Sequence, residues 1–225
     1  ADIAELYATD VDGYLLAAAK DADTAGLYNG FEPNKKKYMD TILKIKKPYE
    51  YFQAGVIVFN LAEFRKTYTT AEMLKFAASY EWELLDQDVL NYLAQGRVKF
   101  VDMAWNVMVD WRGIRLSQII ALAPKYLHDE HMEARKNPKI IHYAGPDKPW
   151  HQPWSDMAEE FWKYSRNTVF YETIMQRMCD PEGSRVGIKQ KIRDHVVEVG
   201  EKVFPKDTAR REVAKKIIIK TIGGI

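Results

Sequence analysis

A single cysteine, Cys179, in 225 residues excludes an internal disulfide. It ends the helical-looking run Ile174-Met175-Gln176-Arg177-Met178-Cys179, which predicts a reduced structural thiol and a cytoplasmic compartment. The sequence also lacks any apolar run near the roughly 20 residues that a spanning helix needs, and no signal-peptide pattern opens it. Excess charge of one sign is missing too. Lysine plus arginine number 33 against 32 aspartate plus glutamate, a formal charge of +1 that removes any global attraction to nucleic acid. Zinc-ligand spacings, RNA-binding signatures, internal repeats and low-complexity tracts are absent. What is present is a globular composition, 47% hydrophobic, in a chain long enough to bury a substantial core.

The segment that carries most chemistry is Lys139-Ile140-Ile141-His142-Tyr143-Ala144-Gly145-Pro146-Asp147-Lys148-Pro149-Trp150. The isoleucines read as the end of a buried strand that delivers His142 to the strand's carboxyl edge, where open α/β sheets bind ligands. Gly145 and Pro146 turn the chain, and a glycine there lets backbone N–H groups approach phosphate oxygens. Lys148 adds a flexible ammonium. A histidine after a strand is more often simply packed; the glycine and the Lys-Pro-Trp that follow favour a diphosphate clamp.

Along the chain, residues 1–7 read as a short helix belonging inside a domain, so the sequence is expected to begin partway into a fold. Residues 9–13 form a turn; Asp10-Val11-Asp12-Gly13 lacks the distal glutamate of a calcium loop. Residues 14–19 read as a buried strand ending at Asp21, and residues 34–49, with six lysines, as a solvated face or loop. The β-branched and aromatic run 51–61 predicts a central strand. Helices are expected over 61–64, over 70–78 with Thr70 as N-cap, and from Asp86, with a strand at 98–101. The alternation predicts an α/β layer architecture over residues 1–154. Residues 155–225 read as a helical appendage that Ser155 opens. Its aromatics, with Trp154 before them, are expected to pack against the sheet domain. A basic amphipathic tail at 206–225 suits either an anionic membrane surface or an ordinary surface helix.

Three segments together resemble glycosyltransferase family 8, the retaining nucleotide-sugar transferases that include glycogenin and bacterial lipopolysaccharide hexosyltransferases. They are Tyr51-Phe52-Gln53-Ala54-Gly55-Val56, Asp86-Gln87-Asp88-Val89-Leu90-Asn91, and the His-x-x-Gly-x-x-Lys-Pro-Trp pattern from His142 to Trp150. The resemblance implies the GT-A fold, a Rossmann-like mixed sheet, of which this chain would hold the carboxyl-terminal part. It implies a divalent cofactor, usually Mn2+ with Mg2+ as the alternative, for which His142 is a ligand. Gly145 and Lys148 match diphosphate contacts. Gln87 matches a carboxamide near the reacting face of the sugar and Asp86 a sugar-hydroxyl contact; capping is the competing role for Asp86 and the favoured one for Asp88. Asp21, Gln53, Ala54 and Gly55 match the lining of the donor-sugar pocket, although Gln53 stands where many members have asparagine.

The implied activity is hexose transfer from a donor such as UDP-glucose or UDP-galactose to lipopolysaccharide or another surface glycan, with same-face attack. The family's nucleotide-binding half and Asp-x-Asp metal motif would lie upstream of Ala1, so the chain alone is expected to be inactive. The competing reading is a noncatalytic docking module derived from the same fold.

Overall fold

The computed structural model describes residues 1–179. They fall into two compact units, residues 1–159 and a helical unit that begins at Glu160. The basic tail expected at 206–225 lies outside the described residues. Among the described residues no helix is long and apolar enough to cross a membrane.

The first unit is a mixed α/β structure. A short helix, α1 (Ile3–Tyr7), is capped by Asp2, and a tight turn with Gly13 at φ 78° leads into β1 (Leu16–Lys20). Strand β1 is buried on both faces. Leu16 and Ala18 enter an apolar cluster with Leu15, Phe52, Phe64 and Ala94, whereas Ala19 enters another with Met103, Val107, Ile120 and Leu127. Two apolar faces on one strand require cover on both sides, which is why helices flank it. Helix α2 (Ala22–Gly26), capped by Asp21, follows β1 directly, and a π-type turn (Leu27–Phe31) extends it. A Cβ on Gly26 would collide with the backbone carbonyl of Ile119, so this helix packs where only glycine fits.

Residues 34–49 are a correction. They contain a short helix, α3 (Lys35–Lys37), and a π-type turn (Tyr38–Ile42), with Tyr38, Met39, Leu43 and Ile45 in a third apolar cluster around Tyr51 and Trp82. Lys35 itself is buried, its ammonium 2.8 Å from Glu83 and 5.1 Å from the Tyr38 ring centroid. Charge pairing lets a lysine accompany apolar neighbours inward.

Strand β2 (Phe52–Phe59) pairs antiparallel with β1, and β3 (Val98–Phe100) pairs parallel with it, giving the order β2-β1-β3. The run expected as a central strand is therefore an edge in this sheet, and β1 is the centre. Polar side chains cover that edge in place of a strand. On α6 (Asp86–Leu93), Asn91 accepts from the Phe52 N–H and donates to its carbonyl, each at 2.8 Å, and Gln87 accepts from the Ala54 N–H at 2.9 Å. Between β2 and α6 lie α4 (Leu61–Thr67) and α5 (Thr70–Ala77). The cap of α5 is Thr69, in a reciprocal box with Glu72, and not Thr70.

The ladder slips where β2 begins. Ala18 faces Ile57 but Lys20 faces Phe52, so residues 53–56 bulge out of register. A second, two-stranded parallel sheet joins β4 (Val107–Met108) to β5 (Ile141–His142), with Met108 opposite His142. Helix α7 (Lys125–Ala134) lies between them in sequence.

Helix α8 (Ala158–Ser165) starts three residues after the expected Ser155, because Asp156 turns away to receive one terminal nitrogen of Arg135 on both carboxylate oxygens at 2.9 Å and the Asp110 N–H at 2.7 Å. Trp154, expected to pack, is 96% exposed. Cys179, at the end of α9 (Tyr171–Cys179), is exposed and not a structural core thiol.

Candidate functional site

The bulge at residues 53–56, the end of β5 and the start of α6 meet at one edge of the first unit. Gly55 is the point of closest approach. A Cβ there would lie 2.5 Å from Nδ1 of His142 and 2.7 Å from Oε1 of Gln53, so only glycine admits the imidazole. Asn106, the last residue of a one-turn helix (Met103–Asn106), sits between the two: its amide nitrogen donates to Oε1 of Gln53 at 2.7 Å and its oxygen lies 3.0 Å from Nδ1 of His142. Gln53 also accepts from the Gly55 N–H.

Gln87 is buried and engages both ends of its carboxamide. Its oxygen takes the Ala54 N–H and its nitrogen donates to Oδ2 of Asp21 at 2.9 Å. Asp21 closes the other side by accepting from the N–H and hydroxyl of Thr24, both at 2.9 Å. Asp21, Gln53, Ala54, Gly55, Gln87 and His142 are thus joined through hydrogen bonds and close packing around one edge.

Asp86 and Asp88 part company. Asp88 is fully buried and accepts from the hydroxyls of Tyr38 and Tyr51 at 2.7 Å each and from the Leu84 N–H at 2.9 Å. Burial beside this carboxylate pushes the Tyr51 hydroxyl well above its ordinary range. Asp86, exposed at the first position of α6, follows Leu85, which has φ 50° and is the strained hinge of the turn closed by Gln87 N–H to Leu84 O at 3.0 Å. No side chain caps α6.

Gly145 has φ 104°, a conformation that favours glycine, and it is exposed. Lys148 folds back to donate to the Tyr143 carbonyl, using one of its three N–H groups. Burial first, and then the charges of Lys148 and Arg115, hold the His142 imidazole below its usual range; Asp21 opposes them. A neutral ring is the ligating form.

Arg115 is the residue that sequence reasoning missed. It is buried, its Nε is 3.1 Å from Oδ2 of Asp23, and one terminal nitrogen donates to the carbonyls of Val109 and, at 3.0 Å, Ala144. It thereby ties the turn at Gly145 to the residue just after Ala22. Burial, with Asp21 alongside, raises Asp23 to about 6 despite this partner, and its Oδ1 is buried without one. Nothing local marks Arg115, because its partner is 92 positions away. Asn106 was equally silent, its partners lying 53 and 36 positions away.

A metal would find one fitting ligand here. The His142 imidazole has the right donor chemistry, but among the described residues no group of three or more histidine, cysteine, aspartate or glutamate side chains could hold an ion.

Comparison with known proteins places the chain in a family. The Bacillus subtilis (strain 168) General stress protein A is 25% identical over 184 residues, covering 78% of this chain and 59% of that protein. The Escherichia coli (strain K12) lipopolysaccharide 1,2-glucosyltransferase is 24% identical over 157 residues, covering 67% of this chain and 40% of its own length. The chain thus spans about half the length of such curated relatives. Among solved structures, the WbbM bifunctional glycosyltransferase superposes with a TM-score of 0.73 at 30% identity, over 80% of this chain and 33% of that one. The galactosyltransferase LgtC, solved with donor and acceptor sugar analogs, gives 0.53 at 25%, over 72% and 55%. The fold is accordingly that of the GT-A glycosyltransferases. The family model for glycosyl transferase family 8 matches residues 1–153, the stretch that contains every residue of this edge, and the chain belongs to that family.

Proposed function

We propose that this chain forms the sugar-side and diphosphate-side portion of a retaining hexosyltransferase. It would use UDP-glucose or UDP-galactose as donor and a lipopolysaccharide or other surface-glycan acceptor. The observation that carries the reading is the convergence of His142, Gln87 and Asp21 on the bulge at Gly55, with the positive-φ turn at Gly145 and the Lys148 ammonium on the same segment as His142. Gly145 contributes its backbone N–H to the diphosphate, and Lys148 turns from the Tyr143 carbonyl to meet the charge that accumulates on the leaving oxygen. A bound Mn2+, or Mg2+ in its place, would neutralise the same charge; of the described residues, His142 would hold it. Gln87 and Asp21 line the sugar, with Asp86 at the mouth reaching a hydroxyl. Asp21 and Asp88, the carboxylates nearest Gln87, are each engaged by three hydrogen-bond donors, which favours same-face attack over double displacement.

With His142 the one metal ligand this reading assigns among the described residues, the 225-residue chain by itself would have negligible transferase turnover. The compartment is cytoplasmic, in keeping with the lone cysteine, and the basic residues at 206–225 are the part suited to an anionic membrane surface. Nucleic acid is not a partner.

Calorimetric titration with UDP-glucose and UDP-galactose in Mn2+ tests the assignment. Weak binding that His142→Ala and Lys148→Ala each reduce at least tenfold, without loss of fold, is expected. Binding indifferent to both substitutions contradicts it and favours a docking module.

A further inference from the structure

Gln53, Asn106 and His142 form a chain of hydrogen bonds whose direction is set by a group that can only donate. The Gly55 backbone N–H donates to Oε1 of Gln53, which identifies that atom as the amide oxygen. Asn106 reaches the same oxygen at 2.7 Å and must present its Nδ2 to it. Its Oδ1 then faces the imidazole, 3.0 Å from Nδ1 of His142, and an amide oxygen can only accept. The ring proton of the neutral histidine therefore sits on Nδ1, and Nε2 keeps its lone pair. This is the less favoured tautomer of a free imidazole in water, so something must hold it.

We propose that Asn106 is a positioning residue that locks His142 in the Nδ1–H tautomer, leaving Nε2 as the ring's sole ligating atom. The backbone enforces the spacing. Asn106 immediately precedes β4, which pairs in register with β5 so that Met108 lies opposite His142, and Asn106 is only 4% exposed, which keeps water from competing for either of its groups. The absence of a side chain at Gly55 lets the ring approach the bulge that supplies the first donor. Gln53, expected to line the sugar pocket, spends its oxygen on this chain and acts on the donor through His142. Partners behind a ligating histidine commonly set its tautomer and are worth about ten- to a hundred-fold in metal affinity.

The use of Nε2 for a metal rests on the proposed function; the tautomer does not. It is read in the metal-free, 15N-labelled chain at pH 7.5 by two-bond proton–nitrogen correlation on the histidine rings. The expected spectrum shows a protonated Nδ1 and an unprotonated Nε2 for His142. Asn106→Leu moves the proton to Nε2, and Asn106→Asp, which keeps an acceptor toward Nδ1, retains the wild-type pattern. A wild-type ring protonated on Nε2 overturns the proposal, as does an unchanged tautomer in Asn106→Leu. Should Asn106→Leu not fold, the wild-type spectrum alone decides. The expected tautomer with a ring indifferent to added Mn2+ supports the positioning role and removes only the metal reading of His142.

Discussion

Arg115 and Asp23 form an ion pair of 3.1 Å in which the guanidinium is almost wholly enclosed, and the same guanidinium holds the Ala144 carbonyl beside the turn at Gly145. Removing it strands a carboxylate and unties that turn. Arg115→Ala is expected to cost about 3 kcal/mol, the typical penalty for breaking a buried pair, measured as a lower urea midpoint with unchanged slope. Arg115→Lys recovers only part of this, since one ammonium cannot match the fork that reaches a carboxylate and two carbonyls. Equal stability of the alanine variant would show that the pair contributes nothing.

Two buried groups titrate in opposite senses across mildly acidic pH. Burial, aided by the charge of Arg135, lowers His131 to about 4, so its neutral form stabilises the fold above the ordinary histidine range near 6.5. That contribution is lost as pH falls from there through about 4. Asp23, raised to about 6, does the reverse: its contribution is complete below the ordinary carboxylate range and is lost as pH rises through about 6. The two windows overlap and largely offset, giving a stability profile that is nearly flat from these groups between pH 4 and 6. His131→Gln removes one side, so the variant should become less stable as pH rises across this window. A variant whose profile parallels wild type would refute the balance.

Asp86 and Asp88 make a matched pair of tests. Asp88→Asn faces three donors with a group half of which is itself a donor, and should lose about 2–3 kcal/mol in denaturant melts. Asp86→Asn, exposed and outside the core, should change stability by less than about 0.5 kcal/mol while weakening donor binding.

Gly55→Ala places a methyl group within 2.5 Å of the His142 ring and should displace it. A shift of the His142 ring resonances, with Mn2+ response reduced and the circular dichroism spectrum retained, is the expected result; an unperturbed ring would mean that the bulge yields instead.

Much of this was legible in the chain because its signals are local. The apolar run before Asp21, the acidic start of α6 and the isoleucines before His142 gave β1, α6 and β5 with boundaries within a residue or two. The cap of α5 was readable and misread: Thr69 stands three residues before Glu72, the spacing of a capping box, whereas Thr70 does not. The lysine-rich stretch failed for a different reason. Burial of Lys35 depends on Glu83, and the inward placement of Tyr38 on Asp88, 50 positions away, so no local pattern could announce either. Asn106 and Arg115 share that difficulty. The residues proposed to meet a ligand lie in sequence motifs, whereas Asn106 and Arg115, which brace that edge, do not.

The central claim is that His142, Gly55 and Gly145 surround one metal-diphosphate position. Mn2+ at substoichiometric amounts with UDP tests this most directly, because its unpaired electrons broaden nearby resonances of the 15N-labelled chain even when binding is weak. The account predicts that the His142 ring and the Gly55 and Gly145 amides broaden first, and that His142→Ala abolishes the effect on the two glycines. Broadening confined to exposed carboxylates such as Glu133, and unchanged by His142→Ala, would contradict it.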